Sequence, residues 1–161
     1  MTKDSQSGNK DNINESRYSV INISGHYFGI EINKVVEVIP FPRFTIIPNL
    51  NPSILGVFNL RGQIYSIIDI RVLFDLTMND ISDKNYVVLL KDGNVSFGIY
   101  VDKVMDVLDI DETKIQVPNR KSSSNFIHFL NGLYEDKKLG LIHLMEVREI
   151  IDSKEISQYR F

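Results

Sequence analysis

The chain has 161 residues and a net charge of −3, and it contains 22 Ile, 14 Val, no Ala and no Cys. Because Ala is the best helix former and Ile and Val favour pleated surfaces, this composition argues against a helical bundle and predicts a mainly β fold. The absence of Cys excludes disulfides, thiol catalysis and Cys-ligated zinc, and the lack of a basic excess disfavours a nucleic-acid partner.

The first 16 residues are polar and contain only two large apolar side chains, Met1 and Ile13. A segment with so little to bury is expected to be a disordered tail, with structure beginning near Arg17. It lacks the apolar stretch of a secretory signal. No apolar run elsewhere approaches the ~18 residues of a membrane-spanning helix. We therefore expect a cytoplasmic protein without direct membrane insertion.

The first half opens with a predicted hairpin, since residues 18–23 are rich in β formers and are followed by a turn that contains Gly25. Residues 86–90 and Gly93 repeat this pattern in the second half, and the polar segment 77–84 is the predicted joint between the halves.

A twelve-residue repeat is the strongest internal signal, because residues 28–39 align with residues 97–108 at an offset of 69. Six positions are identical and four more are chemically similar. Chance similarity between two apolar strands is the alternative, but the Phe-Gly-Ile and Lys-Val segments keep one register. The repeat predicts two related β-rich halves.

Three prolines, at positions 40, 42 and 48, keep the segment 39–48 out of a central strand because proline cannot donate to a sheet ladder. Phe41 and Phe44 are therefore expected on an edge or in a loop. They either cap the core or form an exposed aromatic patch for a partner.

Arg61 stands in an apolar stretch beside Gly62, which suits a tight hairpin turn. A guanidinium among apolar neighbours needs a carboxylate, because an unpaired buried charge is very costly. Glu37, also set among apolar residues, is the best candidate and could bind in a bidentate manner. The alternative is that Arg61 projects into water at the hairpin tip. Asp69 is predicted to be the N-cap of a short helix.

The C-terminal segment, about 145–158, places apolar residues at roughly helical spacing among charges and predicts an amphipathic helix. Catalytic groups are scarce. The three histidines lack metal-ligand spacing, and the chain has no phosphate-binding glycine loop. Ser24 and His26 are neighbours, but both belong to a predicted turn. We expect no catalytic residue, no metal, no cofactor and no enzymatic activity.

Four segments together resemble a CheW-like adaptor domain of bacterial chemotaxis. They are residues 28–38 (Phe-Gly-Ile followed by Val-x-Glu-Val), 56–62 (Gly-Val-Phe-Asn-Leu-Arg-Gly), 68–71 (Ile-Asp-Ile-Arg) and 97–104. The resemblance runs from about Arg17 to Ile151. The Asn-Leu-Arg-Gly segment at this distance from Asp-x-Arg is its most specific part. A departure is Ser66, where the family often has Pro, so that strand edge is expected to pair differently.

The resemblance implies two five-stranded SH3-like β-barrels packed together, with short helical turns, a C-terminal helix and a hydrophobic groove between the barrels. It places a CheW-like domain at 17–161. The first barrel half would span about 17–78 and the second about 84–145, with strands partly exchanged. It implies a non-enzymatic adaptor that couples the cytoplasmic tip of methyl-accepting chemoreceptors to the regulatory domain of a CheA-type histidine kinase. Such an adaptor would be recruited to membrane-associated receptor arrays.

The resemblance also implies which residues couple receptor and kinase, with Glu37 and Arg61 as a structural ion pair. We expect the kinase to meet a patch formed by Phe41, Arg43 and Phe44, and the groove to accept a receptor helix. The alternatives are a β-barrel sensor of small molecules and an adaptor of a non-chemotaxis chemosensory pathway. The coupling residues are Val35, Glu37, Gly56, Val57, Asn59, Leu60, Arg61 and Gly62.

Overall fold

The computed structural model describes residues 14–124 and 126–159. These residues form ten strands and three short helices. The strands are β1 (Glu15–Ile23), β2 (His26–Glu31), β3 (Val35–Pro40), β4 (Ile54–Leu60), β5 (Gln63–Ile68), β6 (Tyr86–Asp92), β7 (Val95–Val101), β8 (Lys103–Asp111), β9 (Leu130–Asp136) and β10 (Gly140–Met145). The helices are α1 (Ile70–Phe74), α2 (Val147–Asp152) and α3 (Lys154–Ser157).

Structure begins earlier than expected, because Glu15 and Ser16 already pair with Asp111 and Ile110 of β8. The predicted tail, residues 1–16, therefore extends two residues too far toward the C-terminus. Its first 13 residues lie outside the described part of the chain.

The strands form two five-stranded sheets, and each curls into a small barrel. Barrel A has the order β8-β1-β2-β10-β9, and barrel B has the order β3-β6-β7-β5-β4. An isolated bridge between Gln116 and Leu133 joins the edges of barrel A, and one between Thr45 and Val57 joins those of barrel B. The predicted mainly β fold is confirmed.

Each barrel takes strands from both sequence halves. The first hairpin of one half, β1–β2 or β6–β7, joins the last three strands of the other half. The chain therefore crosses between barrels twice, from barrel A to barrel B through residues 32–34 and back at Asp102. The expected boundaries near 78 and 84 separate the repeats rather than the barrels.

The folded halves match over more residues than the sequence comparison indicated. Residues 130–134 (Leu-Asn-Gly-Leu-Tyr) of β9 correspond to residues 54–58 (Ile-Leu-Gly-Val-Phe) of β4. Residues 145–148 (Met-Glu-Val-Arg) likewise correspond to residues 68–71 (Ile-Asp-Ile-Arg), each running from a strand into a short helix. The two halves are thus related in the order of their five strands and in the short helix that follows them.

Three apolar clusters fill the molecule, one inside each barrel and the largest between them. Tyr18 and Val20 belong to the interior of barrel A, and Val87 and Leu89 to that of barrel B. Val88 and Leu90 point the other way, into the cluster between the barrels. Central strands are therefore apolar on both faces, which explains the continuous apolar runs in the sequence.

The C-terminal segment forms two helices where the spacing predicted one. Ser153 separates them because its backbone is extended, with ψ at 147°. Its N–H and its hydroxyl both bond to the Ile150 carbonyl and end α2. Ile150 and Ile156 are both buried in the cluster between the barrels, so the apolar spacing was interpreted correctly even though the helix is interrupted.

Candidate functional site

The seam of barrel B, where its edge strands β3 and β4 come together, holds most of the predicted coupling residues. Thr45 and Val57 exchange two backbone hydrogen bonds of 2.8 and 2.9 Å across this seam. Gly56 allows the approach, because a Cβ atom at this position would lie 2.2 Å from the Thr45 carbonyl oxygen. The backbone contact thus explains why residue 56 is a glycine and how Val57 is placed.

The β4–β5 turn presents Arg61 at the end of this seam. Arg61 and Gly62 have φ angles of 51° and 85°, the pattern of a two-residue type I′ hairpin turn. The Asn59 side-chain oxygen accepts the Gly62 N–H at 3.0 Å and fixes the turn. Leu60 packs against the apolar interior of barrel B. The Asn-Leu-Arg-Gly segment is therefore one structural unit, with Arg61 at its tip.

Arg61 and Glu37 form a bidentate ion pair across the seam. The two Arg61 Nη atoms donate to the two Glu37 carboxylate oxygens at 2.8 and 2.7 Å. The hydrogen bonds from Arg61 lower the pKa of Glu37, so the carboxylate stays charged near neutral pH. The pair fixes the hairpin against β3.

Burial does not explain this pair, because both side chains reach solvent. The Arg61 side chain is 71% exposed and that of Glu37 is 30% exposed. The left-handed backbone of the turn lifts Arg61 out of the apolar strand and places it at the hairpin tip. An exposed pair contributes little to stability, so its main effect is on the shape and charge of the surface.

Strand β3 exposes apolar side chains on its outer face. Val36 is 54% exposed and Val38 is 38% exposed, whereas Val35 is partly buried against the cluster between the barrels. The β3–β6 pairing shifts register between Val35 and Glu37, which marks a bulge at Val36. The predicted coupling residues thus border an apolar surface.

The space between the barrels is filled by the largest core cluster, and apolar side chains reach solvent at its margins. Val38 lies directly opposite Val88 in the sheet, and its side chain is on the same face as this residue of the cluster. Val107, 49% exposed, is the residue of barrel A that aligns with Val38 in the repeat. The groove implied by the resemblance corresponds to these apolar margins rather than to an open channel.

The predicted kinase-facing patch lies at one end of barrel B. Phe41 and Phe44 are half-buried, with ring centroids 5.8 Å apart, and Phe41 packs 5.9 Å from Tyr100. They cap the barrel interior and still present part of each ring to solvent. Arg43, between them, is exposed.

A buried charge network inside barrel B was missed in the sequence. The Asp69 side chain accepts the Arg71 N–H as an N-cap, as predicted. The Arg71 guanidinium also binds both Asp69 carboxylate oxygens at 2.9 and 2.8 Å. It lies 4.1 Å from the centre of the Tyr100 ring. Arg71 is 1% exposed. The Asp-x-Arg spacing was the available signal, but it was interpreted only as a cap.

The candidate catalytic residues do not form an active-site arrangement. The Ser24 hydroxyl donates to the Thr77 carbonyl and not to His26. His143 Nδ1 lies 3.1 Å from the Tyr27 carbonyl oxygen, and burial lowers the pKa of this imidazole. Among the described residues no cluster of His, Asp and Glu could hold a metal ion. No helix in this part of the chain is long and apolar enough to span a membrane.

Comparison with known proteins gives consistent results. The family model described as "CheW-like domain" matches residues 17–155. Chemotaxis protein CheW of Klebsiella aerogenes is 31% identical over 140 residues, covering 87% of this chain and 84% of that protein. Chemotaxis protein CheW of Helicobacter pylori is 28% identical over 153 residues, covering 92% and 90%. The scaffolding protein TtCheW of Thermoanaerobacter tengcongensis has the same fold, with a TM-score of 0.81 at 22% identity over 91% of this chain and 99% of that one.

Proposed function

The chain belongs to the family of CheW-like domains and is a chemotaxis coupling adaptor, and we propose that it joins the tip of a transmembrane chemoreceptor to the regulatory domain of a CheA-type histidine kinase. The observation that carries this proposal is the family match over residues 17–155, together with relatives named CheW that align over most of their length. Its activity is binding, so no catalytic group is required.

The kinase regulatory domain binds the end of barrel B that carries Phe41, Arg43 and Phe44. Half-buried aromatic rings make good anchors, because they are already ordered and still offer apolar area to a partner. Arg43 supplies a charge at the rim, and the Glu37–Arg61 pair borders the same barrel with a fixed hairpin. This surface is rigid before the partner arrives, which lowers the entropic cost of binding.

The receptor tip binds the apolar margin along β3, where Val36 and Val38 are exposed. An amphipathic helix is the partner that fits such a margin, because its apolar stripe can cover these side chains while its polar face stays in water. Gly56, Val57 and Gly62 support both surfaces by closing and shaping the seam.

The two interfaces are modest in area and work together in an array. Many weak contacts between receptors, kinases and adaptors give a high overall avidity. On this proposal the protein is cytoplasmic and is recruited to membrane-associated receptor clusters by its receptor contact.

Isothermal titration of the full chain against a CheA regulatory domain and, separately, against a receptor-tip fragment tests the proposal. We expect heat with both. Arg43→Glu should weaken the kinase titration alone, and Val38→Lys the receptor titration alone. Leu141→Lys is the matched control, since Leu141 is an apolar residue of barrel A with 43% exposure. No heat with either partner would contradict the adaptor function.

A further inference from the structure

Residues 76–85 form the connection between the two repeats, and they contain no helix or strand. The end of this connection is nevertheless fastened to barrel B. The Phe41 N–H donates to the Asn85 carbonyl at 3.0 Å, which extends the pairing of β3 with β6 by one residue. Asn85 also closes a turn, because its N–H donates to the Ser82 carbonyl at 3.1 Å and its side-chain oxygen accepts the Ser82 N–H at 2.7 Å. These bonds place the connection directly beside the kinase-facing patch.

Ile81 joins the connection to that patch. It packs on the apolar interior of barrel B, as do Phe41 and Phe44. Ile81 and Asp83 also line one surface depression together with the two aromatic rings and Arg43. The depression is therefore built from two chain segments, and the sequence predicted only one of them.

The two segments give the depression opposite charges. Arg43 and Asp83 are both exposed, and neither forms an ion pair within the described residues. Apolar area lies beside them in Ile81 and the aromatic rings. An apolar centre with a polar rim is the usual composition of a protein interface. Two opposite charges also fix the orientation of a partner, since it must offer an acid to Arg43 and a base to Asp83.

The buried Arg71 guanidinium contacts both segments of this surface. Its Nη1 atom donates to the Asn79 carbonyl of the connection at 2.8 Å. Its Nε and Nη2 atoms bind Asp69, so one planar group holds the carboxylate and the connection together. The guanidinium also lies 4.1 Å from the centre of the Tyr100 ring, on which Phe41 packs. A lysine could not make these contacts together, because its ammonium is a single point charge without a fork.

We propose that Ile81 and Asp83 complete the kinase-binding surface, with Ile81 as an apolar anchor and Asp83 as the charge that determines specificity. Arg71 is the positioning residue that places them. The inference rests on the proposed function, because its partner is the kinase regulatory domain that binds the kinase-facing patch. Continuity with that patch is the reason for this partner, since both segments line the same depression.

Isothermal titration of a CheA regulatory domain against variants of the full chain tests this surface. Asp83→Lys should weaken binding about tenfold at about 0.05 M salt and by less at about 0.5 M, because salt screens the charge. Asp80→Lys is the matched control, since Asp80 is an exposed acid of the connection outside the depression. Ile81→Ala should weaken binding about tenfold. Met78→Ala, which truncates a 54% exposed side chain of the connection, should bind normally.

The outcomes separate this surface from the proposed function. Asp83→Lys and Ile81→Ala should both bind a receptor-tip fragment as the wild type does. If the wild type binds no kinase regulatory domain, the proposed function fails and the assignment of this surface fails with it. If the wild type binds and both variants keep its affinity, or if Asp80→Lys loses as much as Asp83→Lys, only the inference is overturned.

Arg71→Lys tests the positioning role. We expect faster amide hydrogen exchange over residues 76–85 and a loss of kinase affinity of about threefold or more, with unchanged affinity for the receptor-tip fragment. A residue that only stabilises the fold would change neither affinity while the variant remains folded by circular dichroism. If the lysine variant does not fold, Asp69→Asn combined with Arg71→Met gives the same measurements without an unpaired buried charge. Wild-type exchange over residues 76–85 together with wild-type kinase affinity would overturn the positioning role.

Discussion

The two barrels derive from one repeat, but their seams differ. In barrel B the bridge between Thr45 and Val57 is reinforced by the Glu37–Arg61 pair. In barrel A the acid aligned with Glu37 is Asp106, and it makes no ion pair within the described residues. The seam there opens into a cleft. The cleft is lined by Met105, Asp106, Leu108, Tyr134, Asp136, Lys137, Lys138 and Leu139. The same fold thus carries an ion-paired seam on one barrel and, on the other, a cleft lined by both apolar and charged side chains.

The largest expected difference between the barrels concerns two aligned arginines. Arg71→Met leaves Asp69 buried without its cation, and breaking a buried ion pair costs about 3–5 kcal/mol. Arg148→Met, in the corresponding place after barrel A, removes a half-exposed pair worth about 0–1 kcal/mol. Urea denaturation of both variants gives the two free energies of unfolding.

A double variant provides the control for this pair of measurements. Asp69→Asn combined with Arg71→Met should be more stable than Arg71→Met alone, because no unpaired charge remains buried. Equal losses of stability in Arg71→Met and Arg148→Met would contradict the difference between the two sites.

Substitution of the two seam glycines should give a smaller difference in the free energy of unfolding. An added Cβ at Gly56 would lie 2.2 Å from the backbone oxygen of Thr45, whereas at Gly132 it would lie 2.4 Å from the side chain of Ile115. A side chain can rotate away more easily than backbone, so Gly56→Ala should cost about 1–3 kcal/mol and Gly132→Ala less. Thermal and urea unfolding measure both. A larger loss in Gly132→Ala would show that the seam of barrel A is the more rigid one.

A pH effect just below neutrality is expected from a histidine of barrel A. Burial lowers the pKa of His143, whose place in barrel B is taken by Ser66. In the unfolded chain this histidine has the ordinary pKa of about 6.5, and in the folded chain its pKa is lower. When the pH falls below about 6.5, the unfolded chain therefore binds more protons than the folded chain, and the free energy of unfolding decreases until the pH has passed the folded pKa. We therefore expect the free energy of unfolding to decrease between pH 7.5 and 5.

His143→Gln should remove this slope, and the exposed His128→Gln should keep it. Chemical denaturation at a series of pH values provides the measurement. An unchanged slope in His143→Gln would show that another group is responsible.

The sequence predicted local structure better than it predicted pairing partners. The hairpins, the Asp69 cap and the residues of the Glu37–Arg61 pair follow from turn glycines, capping preferences and complementary charge. The reciprocal exchange of hairpins does not, because a hairpin has the same local pattern whichever half it joins. Arg71 was overlooked because a charged residue is expected at the surface. Its burial depends on Asp69 and Tyr100 together, and Tyr100 is distant in sequence.

Kinase activation, measured with receptor, kinase and adaptor together, tests the functional difference between the two seams directly. Arg61→Glu places two acids at the seam of barrel B, whereas Lys138→Glu makes the same change of charge at the turn of barrel A. We predict that Arg61→Glu folds with a wild-type circular dichroism spectrum and loses most of the activation, while Lys138→Glu activates normally. Normal activation by a folded Arg61→Glu variant, or an equal loss in Lys138→Glu, would contradict the assignment of coupling to the seam of barrel B.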